Sequence, residues 1–340
     1  MNSSEIKSLS QLGTFKGLAL KGKLIETHIS WVILSGDHAF KIKKPVHLSF
    51  VDFSSLQKRK YYCEMEVNLN ARFTDIYLGV EPIYFEEDHW SIGGEKGLPR
   101  DYAVVMKRMD EGMRMDRLLE KAEVSSEAIE KLAHQVGRFH KKARVIHRSF
   151  ELQNSKETFN DILSIEKVLE DLPNYDELKE ELHRAVRLSD FFLTSNSKLL
   201  EKRSAEGFVR DVHGDLHGGN VFLMENPVLF DCIEFKEDFR QIDVLYEVAF
   251  LCMDLESWGR EDLAKIFLTT YFEQQGTSIS VQEEKLFNYY KCLRANIRAK
   301  VYAIEISQAQ EGNERKVYLD AFNRYFSLFG SYLEKLENQG

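Results

Sequence analysis

Proline is scarce in this chain, at five of 340 residues, and no stretch is dominated by proline, glycine and serine, so nothing marks a flexible linker between independent domains. Cysteine is equally thin. Cys63, Cys232, Cys252 and Cys292 lie far apart and form no Cys-x-x-Cys pair, which argues against a disulfide framework or zinc knuckle and favours a reducing compartment. Long apolar runs are missing: the longest, residues 248–253, falls far short of the roughly 20 residues a spanning helix needs. The first sixteen residues have no apolar centre, so no secretory signal is read there and the expected location is cytoplasmic. Positive charge is not in excess. With 46 Lys and Arg against 55 Asp and Glu, the net charge of −9 argues against general binding to nucleic acid or anionic membranes. Neither Gly-x-Gly-x-x-Gly nor Gly-x-x-x-x-Gly-Lys-Ser/Thr occurs, so a nucleotide would not be held by either glycine fingerprint. No repeat of solenoid period is present.

What is there is an ordinary globular composition, 43% apolar and 30% charged, with length enough for one large or two ordinary domains. Residues 29–34 are rich in β-branched and aromatic side chains, Ser35-Gly36-Asp37 reads as a turn, and 38–43 alternates, which predicts a β-hairpin. Ser54 or Ser55 is placed to cap a helix over 56–73. A strand pair is expected near 80–85 and 102–106, around a glycine-rich turn at 93–97. Beyond residue 110 the pattern is mainly helical. Ile129, Leu132, Ala133, Val136 and Phe139 share one face over 128–143, and 156–204, 244–274 and 281–337 read as further helices. The expectation is a β-rich part over 1–107, then a helical part over 108–340 with a helical insertion at about 150–205.

The chemistry lies in His213-Gly214-Asp215-Leu216-His217-Gly218-Gly219-Asn220, followed by Phe230-Asp231. Residues 221–223 and 228–230 are short apolar strands around a loop at 224–227, a common hairpin connection. If 223 pairs with 228, then Asn220 faces Asp231, and an amide oxygen stands beside a carboxylate. Those are hard oxygen ligands suited to Mg²⁺. Asp215 precedes Asn220 by five, the spacing of a kinase catalytic loop, where the aspartate accepts or orients a hydroxyl proton. Each signal alone is weak, but their combination with the hairpin and His213-Gly214 is specific. His213 reads as a brace for the loop backbone. His217 reads as either substrate-facing or a turn residue.

A phosphate-binding lysine should come from the N-terminal part. Lys41 and Lys43 point to one face of their strand and Lys44 to the other. A helix carboxylate should fix that lysine; Glu64 and Glu66 are candidates, and Glu66 shares the core-facing stripe with Leu69 and Phe73. Thr27 and Ser30, at the first strand connection, offer hydroxyls and main-chain N–H groups to a nucleotide.

These residues resemble the aminoglycoside phosphotransferase-like kinases, and the resemblance implies a two-lobed, α+β protein-kinase-like fold with a β-rich N-terminal lobe and a mainly helical C-terminal lobe. His213 through Asn220 looks like the family's catalytic loop, and Phe230-Asp231-Cys232-Ile233-Glu234-Phe235 like its metal-binding strand end. Asp243, at a helix start, stands where the family's aspartate braces the loop, and Phe139-His140 matches the end of a preceding helix. Residues 102–109 look like the inter-lobe hinge, so main-chain atoms near Lys107 to Met109 would meet the adenine. Similarity extends to an uncharacterised subgroup, through 26–31, 40–46, 56–70 and 230–235. Many of its members continue into a P-loop kinase domain for which no counterpart is read here.

The implied activity is Mg²⁺-dependent transfer of the γ-phosphate of ATP or GTP to a small-molecule hydroxyl. Lys41 or Lys43, oriented by Glu66, would hold the phosphates, Asn220 and Asp231 the metal, and Asp215 the acceptor. One rival is a metallophosphoesterase, because Gly214-Asp215-Leu216-His217-Gly218 resembles its Gly-Asp-x-His-Gly segment. No histidine follows His217, however, so further ligands would have to come from upstream. The other is a catalytically silent kinase-like binding module. Lys291, Arg294 and Arg298 share a helical face that would suit a neutral or anionic acceptor if it lines the cleft, and that otherwise reads as a salt-bridged face. Trp258 with Asp254 and Glu256 would equally suit a cation.

Overall fold

The computed structural model describes residues 1–48, 50–94, 97–170, 175–309 and 312–338. Parts of the turn expected at 93–97, of the helical stretch 156–204 and of 281–337 therefore lie outside the described residues. Two compact units divide the chain. The first comprises Met1–Glu123, His213–Asp215 and Gly219–Arg240; the second comprises Val124–Val212, Leu216–Gly218 and Gln241–Gly340.

The first unit is built on a curled sheet. Its elements are α1 (Ser3–Leu12), β1 (Thr14–Phe15), β2 (Leu18–Ala19), β3 (Lys23–Glu26), β4 (Ser30–Ser35), β5 (His38–Lys43), the small hairpin β6 (His47–Leu48) and β7 (Val51–Asp52), α2 (Leu56–Asn70), β8 (Tyr77–Glu86), β9 (His89–Ile92), β10 (Asp101–Lys107) and α3 (Met115–Glu120). Eight strands run in the order β2-β1-β9-β8-β10-β5-β4-β3. The hairpin expected at 29–43 is β4–β5, with Trp31 opposite Ile42 and Val32 opposite Lys41. Strands near 80–85 and 102–106 are found, but β9 intervenes and pairs with β8, and α1 precedes the sheet; neither was expected.

Alternation sorts the sheet's side chains. Phe40 and Ile42 of β5 join Ala103 and Val105 of β10 in a core with Ile6 and Leu9 of α1. The opposite face presents Ala39, Val104 and Met106 to Cys63 and Val67 of α2. Lys41 and Lys43 have the parity of Ala39, so both fall on the α2 side. Ser55 caps α2, its Oγ accepting the Lys58 N–H, and the helix buries Arg59, Cys63, Glu66 and Leu69 along one stripe.

The second unit is helical: α4 (Ser126–Lys142), α5 (Leu152–Asn160), α6 (Glu166–Leu169), α7 (Tyr175–Ser195), α8 (Ser197–Ala205), α9 (Val244–Ser257), α10 (Glu261–Gln275), α11 (Val281–Gln308) and α12 (Asn313–Asn338). Strands Val209–Asp211 and Gln241–Asp243 pair antiparallel beside them. Ser125 caps α4, whose buried stripe of Ile129, Leu132, Ala133, Val136 and Gly137 packs on α10. A Cβ at Gly137 would come within 2.7 Å of Gln274, so only glycine permits that approach. α9 is buried nearly all round, in keeping with its apolar sequence. Among the described residues no helix is long and apolar enough to cross a membrane.

Candidate active site

Both lysines of β5 converge on α2. Glu66, wholly buried, gives one carboxylate oxygen to each: Oε1 lies 2.9 Å from Lys41 Nζ and Oε2 2.7 Å from Lys43 Nζ. Glu64 instead meets Lys60 on the surface, and Lys44 turns away to Glu26. The two lysines then diverge. Lys41 reaches Asp231, 2.5 Å away, whereas Lys43 is bonded to Glu234 and lies over the Phe53 ring. Their exposures differ correspondingly, with 15% of the Lys41 side chain accessible and 1% of Lys43.

Five charges so placed act on each other strongly. Burial alone would push the Lys41 ammonium down, but Asp231, Glu66 and Glu234 outweigh it and hold the group well above its ordinary value. Lys43 is likewise raised against its burial by Glu234 and Glu66. Burial works to raise Glu66, yet the two ammonium groups bring it down to about 2. Glu234 shifts upward, because burial and the nearby Glu66 charge outweigh its pairing with Lys43.

The hairpin strands are Val221–Phe222 and Val228–Leu229, and their register differs from the expected one by a residue. Val221 faces Leu229 and Phe222 faces Val228, so Asn220 stands opposite Phe230, whose N–H it accepts at 3.1 Å, and not opposite Asp231. The cause is Leu223. Its N–H goes to the Met113 carbonyl at 2.8 Å, and Phe222 bridges to Arg114, so Leu223 is drawn out of the hairpin ladder into the loop.

Asn220 and Asp215 nonetheless meet directly. The Asn220 Nδ2 donates to the Asp215 main-chain oxygen at 2.9 Å and to its carboxylate at 3.0 Å, which leaves Oδ1 as the accepting end of the amide. His213 braces both segments. Its Nε2 donates to the Phe230 carbonyl and its Nδ1 accepts the Asp215 N–H, which fixes a neutral tautomer, while its own carbonyl takes the Ile233 N–H. With both ring nitrogens so occupied, His213 is no metal ligand, and among the described residues no cluster of three His, Cys, Asp or Glu suits a metal.

Asp231 takes a left-handed backbone, φ 63°, which aspartate tolerates better than most residues. Two neighbours hold it there: the Tyr77 hydroxyl accepts its N–H at 3.0 Å, and Asn70 Oδ1 accepts the next N–H, that of Cys232, at 2.9 Å. Sequence reasoning passed over both, and gave Glu234 no role. Asn70 lies one helical turn after Glu66, a spacing that points to it, whereas nothing in the sequence singles out Tyr77.

Gly214 has φ 86°, and a Cβ there would sit 2.7 Å from the Phe239 carbonyl. Gly214→Ala should therefore shift Asp215 and lower the melting temperature; a variant melting and turning over like the parent would show the loop to be adaptable.

The remaining residues lie elsewhere on the sheet. Thr27 Oγ1 is engaged within its own turn by the Ser30 N–H and carbonyl, and the Ser30 hydroxyl is buried. The N–H of Lys107 is bonded to Ile76 O and that of Arg108 to Asp37 O, while the Lys107 ammonium pairs with Asp75. Met109 is the first residue after β10 whose N–H no main-chain carbonyl takes among the described residues. In the second unit, Asp243 was expected to brace the 213–220 loop. Its carboxylate is instead held by both forks of Arg203 and caps α9 through the Leu245 N–H. The loop's Gly218 N–H is taken at 2.7 Å by Asp254. His140 bonds Tyr271 and Glu247.

A β-rich unit with a lysine–glutamate pair between strand and helix, and a following Asp-x-x-x-x-Asn loop and hairpin, defines an α+β protein-kinase-like fold. The chain belongs to the phosphotransferase enzyme family, whose model matches residues 78–279. It is 30% identical over 292 residues, 84% of this chain, to uncharacterised proteins of Mycobacterium tuberculosis and Mycobacterium bovis. It spans 55% of the length of those relatives. Among solved structures it resembles a choline/ethanolamine kinase family protein from Mesorhizobium loti, with TM-score 0.55, 14% identity and 99% of each chain covered. A point mutant of aminoglycoside 2'-phosphotransferase-IIIa in complex with GDP gives TM-score 0.51 at 15% identity, covering 97% of this chain and 100% of that one.

Proposed function

We propose that this chain is a Mg²⁺-dependent small-molecule kinase that moves the γ-phosphate of ATP or GTP to a hydroxyl. The observation that carries it is the first unit's arrangement of Lys41 on Glu66 and Asp231, with Asn220 bonded to Asp215. The donor set fits the metal: a carboxylate and an amide oxygen are hard ligands of the number Mg²⁺ takes from protein when phosphates and water supply the rest. When bound, Mg²⁺ neutralises charge on the β- and γ-phosphates.

The chain's own groups supply the remainder. Lys41, the more accessible lysine, binds the α/β-phosphates and is kept in place by Glu66. Lys43 and Glu234 position it by holding the strand end to α2. The Met109 N–H is offered to the adenine edge. Asp215 orients the acceptor hydroxyl and takes its proton as the new oxygen–phosphorus bond forms and the bond from the γ-phosphorus to the bridging oxygen breaks, so the diphosphate leaves with that electron pair.

The test is twofold. ATP or GTP should raise the melting temperature of the purified protein only when Mg²⁺ is present, and labelled γ-phosphate should appear on an acceptor. Asp215→Ala should lower that transfer by about 10²-fold or more while keeping the nucleotide-dependent melting shift, in line with loss of one general base. Nucleotide binding without transfer to any acceptor would make the chain a silent binding module instead.

A further inference from the structure

The main chain on either side of Asp231 is fixed atom by atom, and all of it lies within the first unit. The Phe230 N–H goes to Asn220 O at 3.1 Å, and the Phe230 carbonyl accepts from His213 Nε2 at 2.9 Å. The Ile233 N–H goes to His213 O at 3.2 Å. These bonds tie the segment to the 213–220 loop. The two between them come from the sheet and its helix: the Tyr77 hydroxyl accepts the Asp231 N–H, and Asn70 Oδ1 accepts the Cys232 N–H. Each main-chain N–H from 230 to 233 is thereby held, with Asp231 at φ 63° among them.

Tyr77 owes its place to a β-bulge. β8 pairs with β10 so that Gly79 faces Val105 and Tyr77 faces Met106, with Leu78 left out of the register. Strict alternation would put Leu78 beside Met106 on the α2 side and turn Tyr77 to the other face. Instead Leu78 is 50% exposed, and the Tyr77 ring packs against the cluster of Ala39, Cys63, Val104 and Met106. Gly79, at φ 141°, takes up the irregularity. A bulge that re-aims a side chain beside a site is a built feature. Asn70 is equally well placed. It is wholly buried, and its Nδ2 donates to the Glu66 carbonyl at 2.9 Å, which leaves Oδ1 for Cys232. One turn of α2 therefore holds Lys41 through Glu66 and the 231–232 main chain through Asn70.

A carboxylate on a fixed backbone keeps only its own side-chain torsions. Mg²⁺ demands near-ideal octahedral geometry, whereas Ca²⁺ accepts more oxygens in flexible arrangements. A rigid ligand therefore favours Mg²⁺, and loosening it costs Mg²⁺ more than Ca²⁺. Resting on the kinase reading above, we propose that Tyr77 and Asn70 are positioning residues for the metal site. By fixing the main chain at 231 and 232, they hold the Asp231 carboxylate for Mg²⁺ and set the preference for Mg²⁺ over Ca²⁺.

The experiment uses the full chain and the β,γ-imido analogues of ATP and GTP, which bind without transfer. Titration calorimetry gives the dissociation constant of each analogue in excess Mg²⁺ and in excess Ca²⁺. The parent should bind its preferred analogue more tightly with Mg²⁺. Tyr77→Phe keeps the ring and its packing. It should raise the Mg²⁺ constant about tenfold, the lower end of what losing a partner of a metal ligand costs. The Ca²⁺ constant should rise by about threefold or less, because that ion tolerates a looser ligand. Asn70→Ala should narrow the difference between the metals in the same direction; should it fail to fold, Tyr77→Phe decides alone. A merely structural role would weaken both metal complexes by the same factor. That result, no change with either metal, or a parent that does not distinguish the two metals overturns the proposal and leaves the kinase reading standing. A parent that binds neither analogue in a metal-dependent way is the separate failure that sinks the kinase reading, and the proposal with it.

Discussion

Asp231→Asn should reduce phosphate transfer by about 10³-fold or more while changing stability little. The size follows from removing the carboxylate proposed to hold a metal, whose stabilisation of developing phosphate charge is worth several kcal/mol. The small effect on stability has three grounds. The side chain is 42% accessible, so its pairing with Lys41 is partly screened and contributes about 1 kcal/mol or less. Lys41 keeps Glu66 as a partner. Asparagine also tolerates the left-handed backbone at this position, and the Tyr77 and Asn70 bonds are made to main-chain N–H groups that the substitution leaves in place. The measurement is kcat as Mg²⁺ is titrated, beside a thermal melt. A variant that kept its turnover within tenfold of the parent would show that Asp231 is not a metal ligand.

The sequence made some of this visible because the relevant signals are local. Strand alternation puts Lys41 and Lys43 on one side and Lys44 on the other, and helical spacing puts Glu66 in the buried stripe of α2; both follow from period alone. The hairpin register could not be read in that way. It depends on Leu223 giving its N–H to Met113, a partner more than a hundred residues earlier that no local pattern connects to it. Asp243 and Asp254 show the same limit. Each is an acid on or beside α9, and the choice between them is made by Arg203, which draws Asp243 away, and by Gly218, which meets Asp254. On the basic face of α11, which had two readings in sequence, Lys291 is salt-bridged to Glu256, and Arg294 and Arg298 lie on aromatic rings. The N-terminal helix and β9 were missed because short elements carry too few residues for periodicity to register.

Lys41 and Lys43 share one strand face and one carboxylate partner, yet their removal should have opposite consequences. Lys41→Ala is expected to lower transfer by about 10²-fold or more, chiefly through phosphate binding and orientation, with limited loss of stability because Lys43 still neutralises Glu66. Lys43→Met takes away the ammonium bonded to buried Glu234 and one of the two on buried Glu66, and leaving one buried charge uncompensated costs about 3–5 kcal/mol. The loss should depend on pH, and the sign can be worked out. In the parent, Glu66 is lowered to about 2, so its contribution is present above the ordinary carboxylate range and lost as the solution is acidified towards that value. Glu234 already lies above its ordinary value in the parent; without Lys43, which opposes that shift, it is driven further up, and such a group loses its contribution as pH rises through the folded value. The gap between parent and Lys43→Met should therefore be narrow near pH 4.5 and widest near neutrality. Urea denaturation at the two pH values reads this directly. A Lys43 variant that stayed fully stable but lost transfer, beside a Lys41 variant that kept it, would move the phosphate contact to Lys43 and make Lys41 the positioning residue.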